Sequence, residues 1–191
     1  MRIGKVTVRA GFVLLLTVLV WLDRGGLLLV VFAAAVLHEL GHYIPLKIFG
    51  GRIYRLELNG GGVEMEASQP MGYGRELLTI LGGPFASICF ALLFSMWDGI
   101  ISKAIVGMCF SHAVFNLLPM RGLDGGRTLE LLLNLKGVTH VRLVLNITTA
   151  VTAAALGVLC AVLAISYKNI SLLLAVIYVG TSAATVRKNE G

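Results

Sequence analysis

The residues best suited to chemistry lie in the run His38-Glu39-Leu40-Gly41-His42, inside an otherwise apolar stretch. On a helix, residues four apart share a face, so the imidazoles of His38 and His42 can bind one metal ion. Zinc suits such a pair, because it accepts nitrogen ligands tetrahedrally and a catalytic site keeps one position for water. Glu39 stands beside the pair, where it can take a proton from that water. The pattern predicts one zinc ion per chain.

The composition indicates that these residues lie in a membrane protein. The chain has 191 residues, of which 57% are hydrophobic and 14% are charged, and its mean hydropathy is +0.88. A soluble domain carries about 25% charged residues, so a water-soluble globular protein is excluded. The net charge of +6 comes from short basic clusters between apolar runs, not from a basic stripe, so no nucleic-acid partner is expected. The predicted surroundings are a lipid bilayer.

Six apolar segments follow one another along the chain, and most approach the roughly 20 residues that cross a bilayer as a helix. We predict an all-α polytopic membrane protein of about six transmembrane helices, forming a single domain over residues 1–191. Its three-helix catalytic core covers about residues 27–135, and the last two spans cover about residues 143–185. The predicted segments are Val6–Leu22, Leu27–Phe49, Leu77–Trp97, Ile100–Leu118, Leu143–Ser166 and Ile170–Thr185.

The charges between these segments predict the orientation of the chain. With six crossings, 13 of the 16 Lys and Arg residues fall on one side of the membrane. Loops rich in Lys and Arg stay in the cytoplasm. The predicted location is therefore a multi-pass position in a cell membrane, with both termini cytoplasmic.

The region Gly50–Ala67, between the second and third segments, does not have the pattern of an ordinary loop. Apolar and polar residues alternate over residues 56–58 and again over residues 63–66, on either side of Asn59-Gly60-Gly61-Gly62. Alternation around a glycine-rich turn is typical of a β-hairpin. Two roles stay open for this hairpin: a surface element on the cytoplasmic side, or a gate for the substrate.

A catalytic zinc needs a third protein ligand, and Asp124 is the acidic residue best placed to supply it. Pro119 ends the fourth apolar segment, and Gly122, Gly125 and Gly126 permit an irregular backbone around Asp124. A broken helix is tolerated at membrane depth where it lines a polar cavity. The alternative is that Asp124 merely caps the amphipathic segment Arg127–Lys136.

These motifs resemble those of the site-2 proteases, which are intramembrane zinc metalloproteases. HELGH at 38–42 matches the family's HExxH motif, and NLLPMRGLDGG at 116–126 matches its NxxPxxxxDG motif. LGGP at 81–84 resembles the family's glycine-proline element. The resemblance implies that His38, His42 and Asp124 bind zinc, that Glu39 is the catalytic base, and that Asn116 assists near the substrate or the oxyanion. It also implies that the β-hairpin dips beside the active site.

The resemblance further implies a substrate class. The enzyme would hydrolyse a peptide bond of a membrane-spanning or membrane-associated protein, such as a pro-sigma or anti-sigma factor. The compact layout looks most like the sporulation protease subgroup that activates a pro-sigma factor, which implies a bacterial membrane. A regulatory membrane partner or a homo-oligomer is compatible with this reading. One departure from the family is Met120-Arg121-Gly122, which replaces a proline-richer, apolar run and is expected to draw the loop toward water.

Two other functions stay open from the residues alone. The chain could be a catalytically silent zinc-binding scaffold or a transporter, although a transporter is expected to carry polar ligands in several spans. It could also be another HExxH membrane peptidase, in which Glu130 supplies the third ligand. His112, one helical turn before Asn116, is more typical of a hydrogen-bonded packing residue than of a catalytic one.

Overall fold

A computed structural model describes residues 2–3, 6–23, 25–59, 62–67 and 72–167. The chain divides into two compact units, residues 1–115 and residues 116–191. The prediction of a single domain remains a prediction. The strands are β1 (Arg2–Ile3), β2 (Val6–Val8), β3 (Ile53–Asn59) and β4 (Gly62–Ala67). The helices are α1 (Ala10–Leu22), α2 (Leu27–Ile48), α3 (Tyr73–Phe94), α4 (Ile100–Asn116), α5 (Asp124–Leu135) and α6 (Val141–Tyr167).

The predicted β-hairpin between the second and third segments is confirmed. β3 and β4 pair antiparallel, from Ile53 opposite Ala67 to Asn59 opposite Gly62, with a register shift between Ile53 and Arg55. The hairpin belongs to a four-stranded sheet with the order β1-β2-β3-β4. β4 is therefore an edge strand of the described sheet.

The start of the first predicted span is a strand and not part of a helix. Val6–Val8 pairs parallel with residues 56–58 of β3, and the Arg9 N–H donates to the Leu58 carbonyl at 2.9 Å. The run Val-Thr-Val is β-branched and favours a strand where a partner edge is available. α1 then has 13 residues and is about 20 Å long. It is shorter than the roughly 30 Å hydrocarbon core of a bilayer.

A buried carboxylate attaches this N-terminal strand to the hairpin. The Glu57 side chain is 7% exposed and pairs with the guanidinium of Arg9, just beyond β2, and with Arg55 Nη2 at 2.9 Å. A carboxylate buried in this way needs charged partners, because its desolvation is otherwise costly. The two arginines supply them, so β2 is held to β3 by side chains as well as by the backbone.

Small residues allow α2 and α3 to approach each other closely. A Cβ atom at Gly41 would overlap the Gly82 carbonyl and lie 2.8 Å from Gly83 Cα, and a Cβ at Gly82 would overlap the Gly41 carbonyl. Helices in lipid associate through close backbone contact of this kind. Burial of large apolar side chains gives no driving force for association there, because lipid tails are equally apolar. The interior of this unit is likewise built from small residues, Ala34, Ala91 and Cys109, one from each of α2, α3 and α4.

Within the described residues, three helices are long and apolar enough to cross a membrane: Leu27–Ile48, Tyr73–Phe94 and Val141–Ser166. They correspond to the second, third and fifth predicted segments. α1 and α4 are shorter apolar helices, and the sixth predicted segment, Ile170–Thr185, lies outside the described residues. These helices fit a membrane protein, while the count of six spans stays a prediction.

The second unit begins where α4 ends. α4 stops at Asn116, three residues before Pro119, because proline disfavours helical geometry in the residue that precedes it. A turn over residues 117–123 leads into α5, whose N-cap position is Leu123. Cβ atoms at Gly125 and Gly126 would overlap the Leu117 and Met120 carbonyls. The first turn of α5 therefore packs directly on the backbone of the preceding turn.

Candidate metal centre

α2 places the two predicted histidines on one face, as their spacing requires. The Nε2 atoms of His38 and His42 lie 3.2 Å apart, and their rings meet edge to face at an interplanar angle of 81°. His38 is 2% exposed, and His42 is half-buried. Two ring nitrogens that converge in this way could bind one shared cation.

A contact with α3 selects the tautomer of His42. Its Nδ1 lies 2.9 Å from the Thr79 backbone carbonyl. A carbonyl oxygen can only accept, so Nδ1 carries the proton and donates it. In the neutral ring, Nε2 then has the free lone pair. This is the arrangement that metal-binding histidines adopt, with one nitrogen on the metal and the other donating to an oxygen.

His38 has a similar support from the same helix. Its Nδ1 lies 3.0 Å from Ser87 Oγ, and Ser87 has no exposed surface. The hydroxyl can accept the Nδ1 proton and leave Nε2 as the ligand atom. Ser87 and Thr79 were not identified from the sequence. Ser87 had a weak signal, as a lone hydroxyl in an apolar helix, while Thr79 contributes a backbone atom that no side-chain pattern reveals.

Gly83 is the reason that His42 fits against α3. A Cβ atom at this position would overlap Nε2 of the His42 ring and would lie 2.8 Å from its Cδ2. Gly83 is itself buried, one residue before Pro84 in α3. The LGGP element of the sequence therefore has a local physical role, which is to make room for a ligand ring.

Asp124, the predicted third ligand, is the first residue of α5 in the second unit. Asp124 is 6% exposed. Leu123 and not Asp124 occupies the N-cap position of α5, so the alternative in which Asp124 serves as the cap is not what the structure has.

The donor set fits zinc. Zn–N bonds of about 2.0–2.1 Å in tetrahedral geometry place two nitrogen ligands about 3.3 Å apart. The observed separation of the two Nε2 atoms is 3.2 Å. Two neutral imidazoles and one carboxylate are a common ligand set of catalytic zinc sites, which leave a fourth position open. The two histidines therefore have the spacing of zinc ligands, and Asp124 as the third ligand stays a prediction.

The sequence also predicted catalytic roles for Glu39 and Asn116 and an alternative ligand role for Glu130. Glu39 is half-buried in α2, directly after His38, and Asn116 is the last residue of α4, also half-buried. Their catalytic roles stay predictions. Glu130 is exposed on α5. The alternative in which Glu130 is the third ligand stays a prediction.

His112 lies closer to the centre than its sequence context indicated. Its ring meets that of His38 edge to face, with the centroids 4.5 Å apart. His112 is half-buried in α4, one turn before Asn116. Its spacing from Asn116 was the available signal, since residues four apart lie on the same helix face.

The fold and the site together define a class, that of apolar helical proteins whose helices carry a possible metal centre. Among solved structures, the chain is similar to the site-2 protease from Methanocaldococcus jannaschii, with a TM-score of 0.67 and 23% sequence identity. The match covers 97% of this chain and 92% of the other. No protein-family model and no curated protein matches the chain. The chain thus has the fold of a site-2 protease, which confirms the predicted resemblance at the level of the fold.

Proposed function

We propose that this chain is an intramembrane zinc metalloprotease that hydrolyses a peptide bond of a membrane-spanning or membrane-associated protein. The observation that carries the proposal is the convergence of the His38 and His42 Nε2 atoms, which lie 3.2 Å apart. The site-2 protease fold supports the same conclusion. One zinc ion would be held by His38, His42 and Asp124.

Zinc, when bound, supplies a Lewis acid that lowers the pKa of water and polarises a carbonyl oxygen. Glu39 acts as the general base and takes a proton from the water that attacks the peptide carbonyl. As the C–N bond breaks, Glu39 returns that proton to the leaving amine, so the carboxylate is regenerated. Asn116 donates a side-chain N–H to the oxygen that becomes negative.

The proposed site lies deep in a membrane-spanning helix, so water must be able to reach it. His38 is the twelfth residue of α2, which places it about 17 Å along the helix axis. Ionisable groups at that depth are costly unless they are paired or bound to a metal. We place both termini on the cytoplasmic side, following the distribution of basic residues, so a polar cavity open to the cytoplasm would bring in water.

The substrate must be unwound before it is cut, because a helical peptide bond is shielded by its own turn. β4 is an edge strand of the described sheet, and an edge strand can hold an extended segment by backbone pairing. We propose that the hairpin presents the substrate in this way. The proposed substrate class includes pro-sigma and anti-sigma factors. The proposed partner is a regulatory membrane protein or a second copy of this chain.

Purified protein tests the proposal through Glu39→Gln, compared with the unsubstituted chain in detergent or nanodiscs. We expect both proteins to hold one zinc ion and the variant to lose cleavage of co-reconstituted membrane-tethered substrates. A matched control is Glu130→Gln, which should keep both zinc and activity. Retained proteolysis by Glu39→Gln would refute the role of Glu39. Zinc binding without cleavage of any substrate by either protein would favour the catalytically silent scaffold.

A further inference from the structure

Arg121, in the turn before Asp124, is bonded twice to α6. Its Nη1 donates to Asn146 Oδ1 at 2.8 Å, and its backbone N–H donates to Thr149 Oγ1 at 2.9 Å. One bond uses the side chain and the other the main chain, so α6 holds both the direction of the side chain and the position of the backbone. Arg121 is half-buried, and the two bonds attach the turn to α6.

The two acceptors are unusual residues for their helix. Asn146 and Thr149 lie three residues apart, on one face of α6, which is otherwise apolar enough to cross a membrane. Asn146 is the sixth residue of that helix, about 8 Å from its start. Polar groups and arginine within a bilayer need partners. The two bonds to Arg121 satisfy one acceptor on each side chain, which accounts for an amide and a hydroxyl in an apolar sequence.

Short contacts connect Arg121 to Asp124. The Leu123 N–H donates to the Met120 carbonyl at 3.1 Å, which closes the turn around Arg121. Gly126 packs on the backbone of Met120, without room for a Cβ atom. A displacement of Arg121 would therefore move the first turn of α5, where Asp124 is the first residue.

We propose that Thr149 and Asn146 are positioning residues for the metal ligand Asp124, acting through Arg121. This inference rests on the proposed function, in which Asp124 binds zinc. An irregular turn has many backbone states, and the entropy lost in ordering it opposes binding. Two hydrogen bonds from a regular helix select one of those states before zinc arrives. The fifth apolar segment, which resembles the family by hydropathy alone, thereby becomes part of the site.

Zinc affinity of the Thr149 variants tests this role most sharply. Thr149→Val removes the acceptor at nearly constant volume, whereas Thr149→Ser retains it. The matched control is Thr148→Val, because the Thr148 hydroxyl donates to the Leu145 carbonyl of its own helix at 3.1 Å. Competition with a chromophoric chelator in detergent measures the dissociation constant of zinc. We expect Thr149→Val to weaken binding by a few-fold, less than the roughly 10- to 100-fold lost with a group bonded directly to a ligand, and Thr149→Ser and Thr148→Val to bind normally.

Asn146 gives a second, independent arm. Asn146→Leu should weaken zinc binding. The separate variant Asn146→Asp should bind zinc normally, because a carboxylate accepts from Arg121 at least as well as an amide. Thermal unfolding without metal separates positioning from general damage, since a positioning role predicts a larger loss in zinc affinity than in stability of the metal-free protein.

The inference is overturned if Thr149→Val binds zinc like the unsubstituted chain, or if Thr148→Val weakens binding equally. If Thr149→Val does not fold, the Asn146 pair decides in the same way. Failure of the unsubstituted chain to bind zinc would refute the proposed function itself, which distinguishes the two cases.

Discussion

The His42 ring is fixed at one end and open to a cation at the other: its Nδ1–H donates to the Thr79 carbonyl at 2.9 Å, and its Nε2 lies 3.2 Å from that of His38. A main-chain oxygen of one helix therefore determines which nitrogen of a neighbouring helix is free to bind a cation. The nitrogen that donates to a carbonyl must carry the proton, so Nδ1 is the protonated nitrogen. Nε2 is therefore the atom that can bind a metal.

Asp124→Ala should abolish stoichiometric zinc binding, because two imidazoles alone do not complete a catalytic zinc site. The comparison is Glu130→Ala, which removes an exposed carboxylate from the same helix. Zinc content after gel filtration should fall from one ion per chain to near zero in the first variant and stay unchanged in the second. Equal zinc in both variants would mean that Asp124 is not a ligand.

Gly83→Ala should displace the His42 ring. The added methyl group would overlap the imidazole, and either the ring or the helix must move. We expect zinc affinity to fall by about 10-fold or more, as for other changes that misdirect a ligand. Gly107→Ala is the control, because a Cβ atom there meets open space and alanine is the better helix former. Normal zinc affinity in Gly83→Ala would contradict the packing described for α2 and α3.

Ser87→Ala should weaken zinc binding through His38. Removal of the hydroxyl leaves Nδ1 of a buried ring without its 3.0 Å contact to Ser87 Oγ, and loss of such a partner commonly costs about 10- to 100-fold in metal affinity. Ser95→Ala is the matched control. Ser95 directly follows α3, and its exposed hydroxyl donates to the Leu92 carbonyl. The same chelator competition applies, and identical affinities for the two variants would exclude a supporting role for Ser87.

The start of α2 should be sensitive to acid through Asp23. The Asp23 carboxylate accepts the N–H groups of Leu28 and Leu27 at 2.9 and 3.1 Å. The hydrogen bond from Leu28 is the main cause that lowers the pKa of Asp23 from its ordinary value of 3.8. A lowered folded-state pKa means that the stabilisation is complete above the unfolded value and is lost as the pH falls through the folded one.

Thermal unfolding of the unsubstituted chain and Asp23→Ala measures this dependence. We expect the variant to melt a few degrees lower at neutral pH, and the difference to shrink below about pH 3.8, the unfolded value. Asp98→Ala, which removes an exposed loop carboxylate, serves as the control. A difference between Asp23→Ala and the unsubstituted chain that stays constant down to pH 2 would show that the charge of Asp23 is not involved.

Local sequence patterns determined much of this protein. The spacing of His38 and His42 predicted a shared helix face, because helical periodicity is a property of neighbouring residues. The alternation around residues 59–62 predicted the hairpin for the same reason. The apolar lengths predicted the long helices between residues 27 and 167 to within a few positions, since burial in lipid depends on composition over about 20 residues.

Contacts between distant residues were decided by the tertiary structure. Val6–Val8 became a strand because β3 offered an edge, although its apolar sequence also suits a helix. Ser87 and the Thr79 carbonyl became partners of the histidines because Gly41, Gly82 and Gly83 let two helices touch. Arg121 found its acceptors in a helix 25 and 28 residues away. Periodicity is local and can be read along the chain, whereas the partner of a hydrogen bond depends on which surfaces pack together, and only the folded chain determines that.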